Sequence, residues 1–159
     1  MIVRRFYKRS MSENPSSSQS GFSGPLPPAR FNMARYCLAG SARRWPDKVA
    51  LVVVSDATAP LGQAERWTYG ALDDAVRRVA AGLIAEGFTP GERLMIRMPN
   101  TSDYALLFFG AIAAGIVPLP SSSQLTEAEA TFLLSDSAAS AVAIAGGMGV
   151  KANGVRLID

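Results

Sequence analysis

Histidine is absent from the 159-residue chain. Ser-His-Asp and Cys-His catalysis, His-ligated zinc and histidine-based pH switching are therefore excluded within it. Cysteine occurs once, as Cys37, so neither an internal disulfide nor a Cys-rich metal site can form. Cys37 stands among apolar residues, and a buried, unreactive thiol is expected. A reducing compartment suits this cysteine usage, and the expected location is the cytoplasm. Lysine is scarce: Lys8, Lys48 and Lys151 are the only three, and none precedes Ser or Thr, which removes a Walker phosphate loop. No charge stands between Asp103 and Glu127. The apolar part of that gap, Tyr104 to Val117, is 14 residues long and ends at Pro118. A membrane span needs about 20, so the run is expected to be a buried core helix.

The net charge of +3 conceals an asymmetry. Residues 1–46 carry eight basic residues and one acid, net +7, and residues 47–159 carry eight basic and twelve acidic residues, net −4. Phosphate binding needs cations gathered on the folded surface, so no nucleic-acid partner is expected. Residues 1–30 are rich in Ser, Pro and Gly, lack periodicity, and are expected to be a disordered tail. Their opening is Arg-rich and has no apolar run, which excludes a secretory signal and leaves a mitochondrial presequence, a plain tail or a true start at Met11.

Regular patterning begins at Asn32, which can cap a helix that Pro46 stops. Val49–Val54 is a continuous apolar run, read as a strand buried in a parallel sheet. Arg66–Tyr69 reads as a short strand. Leu72, Val76, Val79, Ala80, Leu83 and Ile84 give one face of a helix over residues 70–86, with Asp73–Arg77 and Asp74–Arg78 pairs on a solvated face and Gly87 as terminator. Residues 93–98, 116–119, 141–145 and 155–158 read as strands. Helices are expected over 101–115 and from Thr126, where Glu129 completes a capping box and Phe132, Leu133 and Leu134 supply the apolar side. This alternation implies an α/β fold of parallel-sheet layers flanked by helices.

Chemistry is sparse. Gly147-Met148-Gly149-Val150-Lys151-Ala152 fits a dinucleotide fingerprint in letters, but Asn153-Gly154 breaks the helix that must follow, so a loop is expected. The close carboxylate pairs, Asp73/Asp74 and Glu127/Glu129, suit a helix surface and a helix first turn. Ser121-Ser122-Ser123 follows a strand end and can line a site or be a plain loop.

Pro46-Asp47-Lys48-Val49-Ala50-Leu51 resembles the opening of the adenylate-forming superfamily, which includes acyl-CoA synthetases and nonribosomal peptide synthetase adenylation domains. Trp67-Thr68-Tyr69-Gly70-Ala71-Leu72 is similar to its helix start. Ala80–Leu83 with Gly87–Leu94, Pro99-Asn100 with Ala111–Pro118, and Leu125–Glu129 with Asp136-Ser137 follow in the family's order. The Phe31–Tyr36 and Pro120–Leu125 segments resemble acyl-CoA synthetases of the benzoate-CoA ligase type. The resemblance implies that residues 31–159 are an incomplete N-terminal portion of that enzyme fold. It implies ATP, Mg²⁺ and CoA for the whole ligase, with none expected to bind this chain alone. The family's phosphate loop ends in Gly-x-Pro-Lys, and no Pro-Lys pair occurs here. Its adenine motif and catalytic lysine are also missing, so no catalytic residue is assigned and the chain alone is expected to be inactive. In some relatives the loop after the strand matching 141–145 touches CoA, which makes Lys151 the candidate for a CoA phosphate, against an ordinary solvated lysine. The alternatives are one half of a split ligase that needs a separate C-terminal chain, or a small interaction module that self-associates through apolar faces.

Overall fold

The computed structural model describes residues 28–56, 58 and 60–158. The expected tail lies outside the described residues, apart from Pro28, Ala29 and Arg30, which are exposed and belong to no helix or strand. Asn32 opens the first helix as the sequence predicts, its Oδ1 accepting the Arg35 N–H at 3.0 Å. The helical stretch spans residues 33–44. Its middle, Arg35–Ala39, is a π-helical turn that runs into α1 (Gly40–Arg44). Ala34 and Leu38 are buried, whereas Cys37 is exposed, contrary to expectation. Leu38 occupies the inward position, and its neighbour on a helix points about 100° away.

β1 (Val49–Val53) pairs antiparallel with β2 (Glu65–Thr68) in a two-stranded ribbon of its own. This corrects the expected buried parallel strand. A ribbon has only one face to bury: Leu51 and Trp67 pack against Leu72 and Val76, while Val49, Val52 and Val54 stay exposed. α2 (Tyr69–Ala85) begins where the Thr68 hydroxyl accepts the Ala71 N–H at 3.2 Å. Leu72, Val76, Ala80 and Leu83 form its buried stripe; Ile84, expected on that stripe, is exposed. Both ion pairs form, Asp73–Arg77 at 2.8 Å and Asp74–Arg78 at 3.2 Å. Asp73 is buried rather than solvated, because it shares the side of α2 that meets the first helix. Gly87, at φ +83°, ends α2 and lets the Phe88 N–H reach the Leu83 carbonyl at 3.1 Å.

The main sheet comprises β3 (Arg93–Arg97), β4 (Val117–Pro120), β5 (Ala141–Ile144) and β6 (Arg156–Ile158), in the order β4-β3-β5-β6 and parallel throughout. Because side chains alternate along a strand, β3 sends Leu94 and Ile96 to one face and Met95 to the other. The first face is covered by α2 and α3 (Ser102–Ala113), through Ala80, Leu83 and Ala111. The second is covered by α4 (Glu127–Asp136), through Ala130 and Leu134. Phe132 and Leu133, expected to be α4's apolar side, are exposed; the buried positions 130 and 134 are one turn apart and lie on the other side of the helix. Burial at Ala141, Val142 and Ala143 agrees with the apolar strand expected over 141–145. Among the described residues no helix is long and apolar enough to cross a membrane.

α4 ends at Ala138, whose φ of +51° is the one positive value among the described non-glycine residues. The Ala139 N–H bonds back to Leu134 O at 3.4 Å and the Ala138 N–H to Ser135 O at 3.1 Å. Gly87 holds the same position after α2 without the cost of a Cβ. Ala138→Gly is therefore expected to stabilise the chain by about 0.5–1 kcal/mol, read as a higher urea midpoint at unchanged slope.

At the other end of α4 the predicted capping box is present. The Thr126 N–H donates to Glu129 Oε2 at 2.9 Å, and the Glu129 N–H donates to the Thr126 hydroxyl at 3.3 Å. The Thr126 backbone bond, with its hydroxyl, holds the Glu129 carboxyl below its ordinary value of 4.5. A carboxyl depressed on folding stabilises above its unfolded pKa, and the contribution fades as pH falls through the folded value. The stability difference between the wild type and Glu129→Gln should thus be present at pH 6, begin to shrink as pH falls past 4.5, and be gone only below the lowered folded value. Urea titrations at stepped pH would show this as converging midpoints.

Candidate functional site

The chain leaves β3 toward α3 on one face of the sheet and leaves β4 toward α4 on the other. Diverging connections at carboxyl ends of parallel strands open a crevice, the usual ligand position in α/β sheets. Here that crevice is about 440 Å³, lined by Asn100 and Tyr104 on the α3 side and by Ser121, Ser122, Ser123 and Gln124 on the α4 side. The three serines thus line the crevice, which was one of their two expected roles. The Ser121 N–H and hydroxyl both donate to Ile96 O at 3.0 Å, tying the loop to the end of β3. The Ser122 hydroxyl accepts the Gln124 N–H at 3.1 Å. Burial raises the Tyr104 phenol pKa above its ordinary value of 10.0, which further disfavours a phenolate beside the crevice.

Arg97 holds the floor of this loop. It follows Met95 on the α4 face of β3 and is only 3% exposed. Its Nη1 donates to Ser122 O at 3.1 Å and its Nη2 to Leu125 O at 2.6 Å, while the buried Nε has no partner. A guanidinium turned to backbone carbonyls shapes the crevice wall. Sequence reasoning passed over Arg97, although a charge flanked by Ile96 and Met98 within a central strand was the available signal.

Lys151 does not line the crevice. Its backbone N–H donates to Thr131 Oγ1 at 3.0 Å, and its Nζ stands 4.0 Å from Glu127 Oε1. Both side chains of that pair are more than half exposed. Residues 145–155 form no helix, as expected from Asn153-Gly154. Gly149 lies against Glu127, where an added Cβ would fall 2.6 Å from Oε2. Among the described residues no three His, Cys, Asp or Glu side chains are grouped to hold a metal.

The family model described as AMP-binding enzyme matches residues 38–156. The chain belongs to that family. The AMP-binding assignment agrees with the adenylate-forming resemblance and takes in every strand and helix from α1 through β5. Acyl-CoA ligase SID4 of Ajellomyces capsulatus is 33% identical over 116 residues, 72% of this chain and 18% of its own length. The 4-hydroxybenzoate–CoA/benzoate–CoA ligase of Rhodopseudomonas palustris is 41% identical over 70 residues, 44% of this chain and 13% of the relative. The solved N-terminal subdomain of NpsA from Klebsiella oxytoca superposes with a TM-score of 0.68 at 18% identity. It matches 78% of this chain and 30% of that one, a likeness of fold. The chain spans less than a fifth of the curated AMP-binding relatives it matches.

Proposed function

We propose that the chain is the N-terminal scaffold of a cytoplasmic AMP-forming acid–thiol ligase, and that alone it does not catalyse. In the whole enzyme the reaction joins a carboxylic acid, ATP and CoA into acyl-CoA, AMP and pyrophosphate. The observation that carries this reading is the crevice itself. It stands at the carboxyl ends of the strands in a member of the AMP-binding family, yet it is lined by hydroxyls and amides. Phosphoryl transfer needs cations or a metal around the transferring phosphates. Arg97, whose guanidinium reaches the crevice loop from beneath, is committed to Ser122 O and Leu125 O. The residues present do not make a magnesium–triphosphate site, and no step is assigned through one.

The name of the Rhodopseudomonas relative supports an aromatic acid as substrate of the whole ligase, and that of the Ajellomyces relative supports an acyl-CoA product. Residues 31–159 are on this reading one scaffold unit, preceded by a dispensable tail. Lys151 is offered to a CoA phosphate, at the cost of its loose pairing with Glu127. The outer edges of β4 and β6 have no strand partner among the described residues. Unpaired edges invite association, so the remainder of the ligase, or a second copy of this chain, is proposed to cover them.

Purified chain, supplied with ATP, Mg²⁺ and a panel of aromatic and aliphatic acids, is expected to release no acid-dependent pyrophosphate above a protein-free blank. Acid-dependent release by this chain would overturn the scaffold reading.

A further inference from the structure

The first helix and α2 enclose a second cleft of about 470 Å³, larger than the serine-lined crevice and lined by different residues. Arg35 and Arg43 stand on one wall, and Asp73 and Arg77 on the other. The two arginines are eight residues apart. In a regular α-helix, at about 100° per residue, that spacing would leave them about 80° out of line. The π-helical turn Arg35–Ala39 absorbs one residue without advancing the face, so eight residues act as about seven, two full turns. Both arginines therefore line the same cleft.

The charges do not cancel. The Asp73 carboxylate is taken by Arg77 at 2.8 Å, and Arg77 Nε also leans to Asp73 O at 3.4 Å. Asn32 is spent as well: its Oδ1 caps the helix, and its Nδ2 donates to Ile112 O at 2.8 Å. The guanidiniums of Arg35 and Arg43 have no partner among the described residues. Between the walls the lining is apolar, from Ala34, Ala39, Val76 and Ala113.

We infer that this cleft binds a small phosphate monoester with an apolar body, the dianion gripped by Arg35 and Arg43 and the body laid on the half-buried Ala39 and Ala113. A guanidinium fork matches phosphate oxygens in pairs, and two forks match a dianion. The site is separate from the serine-lined crevice and does not depend on the scaffold reading.

Phenyl phosphate is the probe, titrated calorimetrically into the whole chain at fixed ionic strength. Saturable binding tighter than about 1 mM is expected, with inorganic phosphate, which lacks the body, weaker by on the order of tenfold. Arg35→Gln and Arg43→Gln should each weaken phenyl phosphate by about tenfold or more. Arg35→Lys, which keeps the charge but loses the fork, should fall between. Arg78→Gln, on another face of α2, should bind as the wild type does. Sedimentation with phosphatidate vesicles distinguishes the source: pelleting that needs Arg35 and Arg43 assigns the monoester to a lipid, and its absence assigns it to a soluble metabolite. No saturable binding of phenyl phosphate, equal affinity for inorganic phosphate, or an equal loss in Arg78→Gln would overturn the proposal.

Discussion

Gly110→Val is expected to destabilise the chain by about 3 kcal/mol. Gly110 sits where α3 crosses α2, and an added Cβ would fall 2.8 Å from Val79 Cβ, with Val79 Cγ1 closer still and Ala80 N at 3.5 Å. Val79 Cβ does not move when its side chain changes rotamer, so a rotamer change cannot relieve the contact, and the helices must separate. That separation would loosen the cluster of Ala80, Ala111, Leu94 and Ile96 on which the sheet rests. Domains of this size are stable by roughly 5–15 kcal/mol, so the loss is a large share of the total. Gly82, in α2, is the control, because nothing lies within 4 Å of its added Cβ. Gly82→Ala should raise stability by up to about 1 kcal/mol through helix propensity alone. Chemical denaturation of the two variants should therefore move the midpoint in opposite directions. Val79→Ala in the Gly110→Val background should recover part of the loss, since the two residues share the contact. An unshifted midpoint for Gly110→Val would mean that the helices do not meet at this point.

Arg97→Ala is expected to cost about 3 kcal/mol, from two lost charge-assisted hydrogen bonds and the void left beneath the loop. The opposing effect is relief of a buried charge whose Nε has no partner. Arg97→Met separates the two. It fills most of the space and removes the charge, so it should cost less than the alanine, while leaving Ser122 O and Leu125 O equally unbonded. Hydrogen exchange reads the loop directly. The amides of Ser121, Gln124 and Leu125 should exchange faster in both variants, and those of β5 should not. Unchanged exchange at these amides would show that Ser121's bonds to Ile96 suffice to hold the loop.

Features carried by neighbouring residues were legible in the sequence. Asn32 as a cap, the Thr126–Glu129 box, Gly87 after α2 and the two Asp–Arg pairs each depend on residues within one turn. The parallel sheet was legible too, because helices alternate with short apolar runs. Pairing partners were not. The run at 49–54 reads as a strand buried in a parallel sheet, and only its antiparallel pairing with β2 makes it a ribbon with an exposed face. Periodicity assumes a regular helix, so the π-helical turn removed the basis for placing Cys37 and for seeing Arg35 and Arg43 together. Arg97 was passed over, and Asp73 was expected on a solvated face, for a related reason. Their burial is set by the loop at 122–125 and by the first helix, and neither packing partner is signalled beside them in the sequence. In the candidate site the serines were noticed as a loop after a strand, but the crevice needed the opposite departures of β3 and β4 before it had walls.

The hydrogen bond from Asn32 to Ile112 has a temporal meaning. Its partners are 80 residues apart in the chain. At ribosomal rates of about 5–20 residues per second, Ile112 is polymerised roughly 4–16 s after Asn32. Leu38 meets its partners on α2, Leu72 and Val76, well before that. The N-terminal helix of a nascent chain is thus held at first by greasy contact alone, and acquires its directional anchor only when the last turn of α3 has left the exit tunnel. Slow codons read before the last turn of α3 clears the tunnel would lengthen that unanchored interval, whereas slow codons read after it clears would give the anchored helix time to settle before β5 emerges.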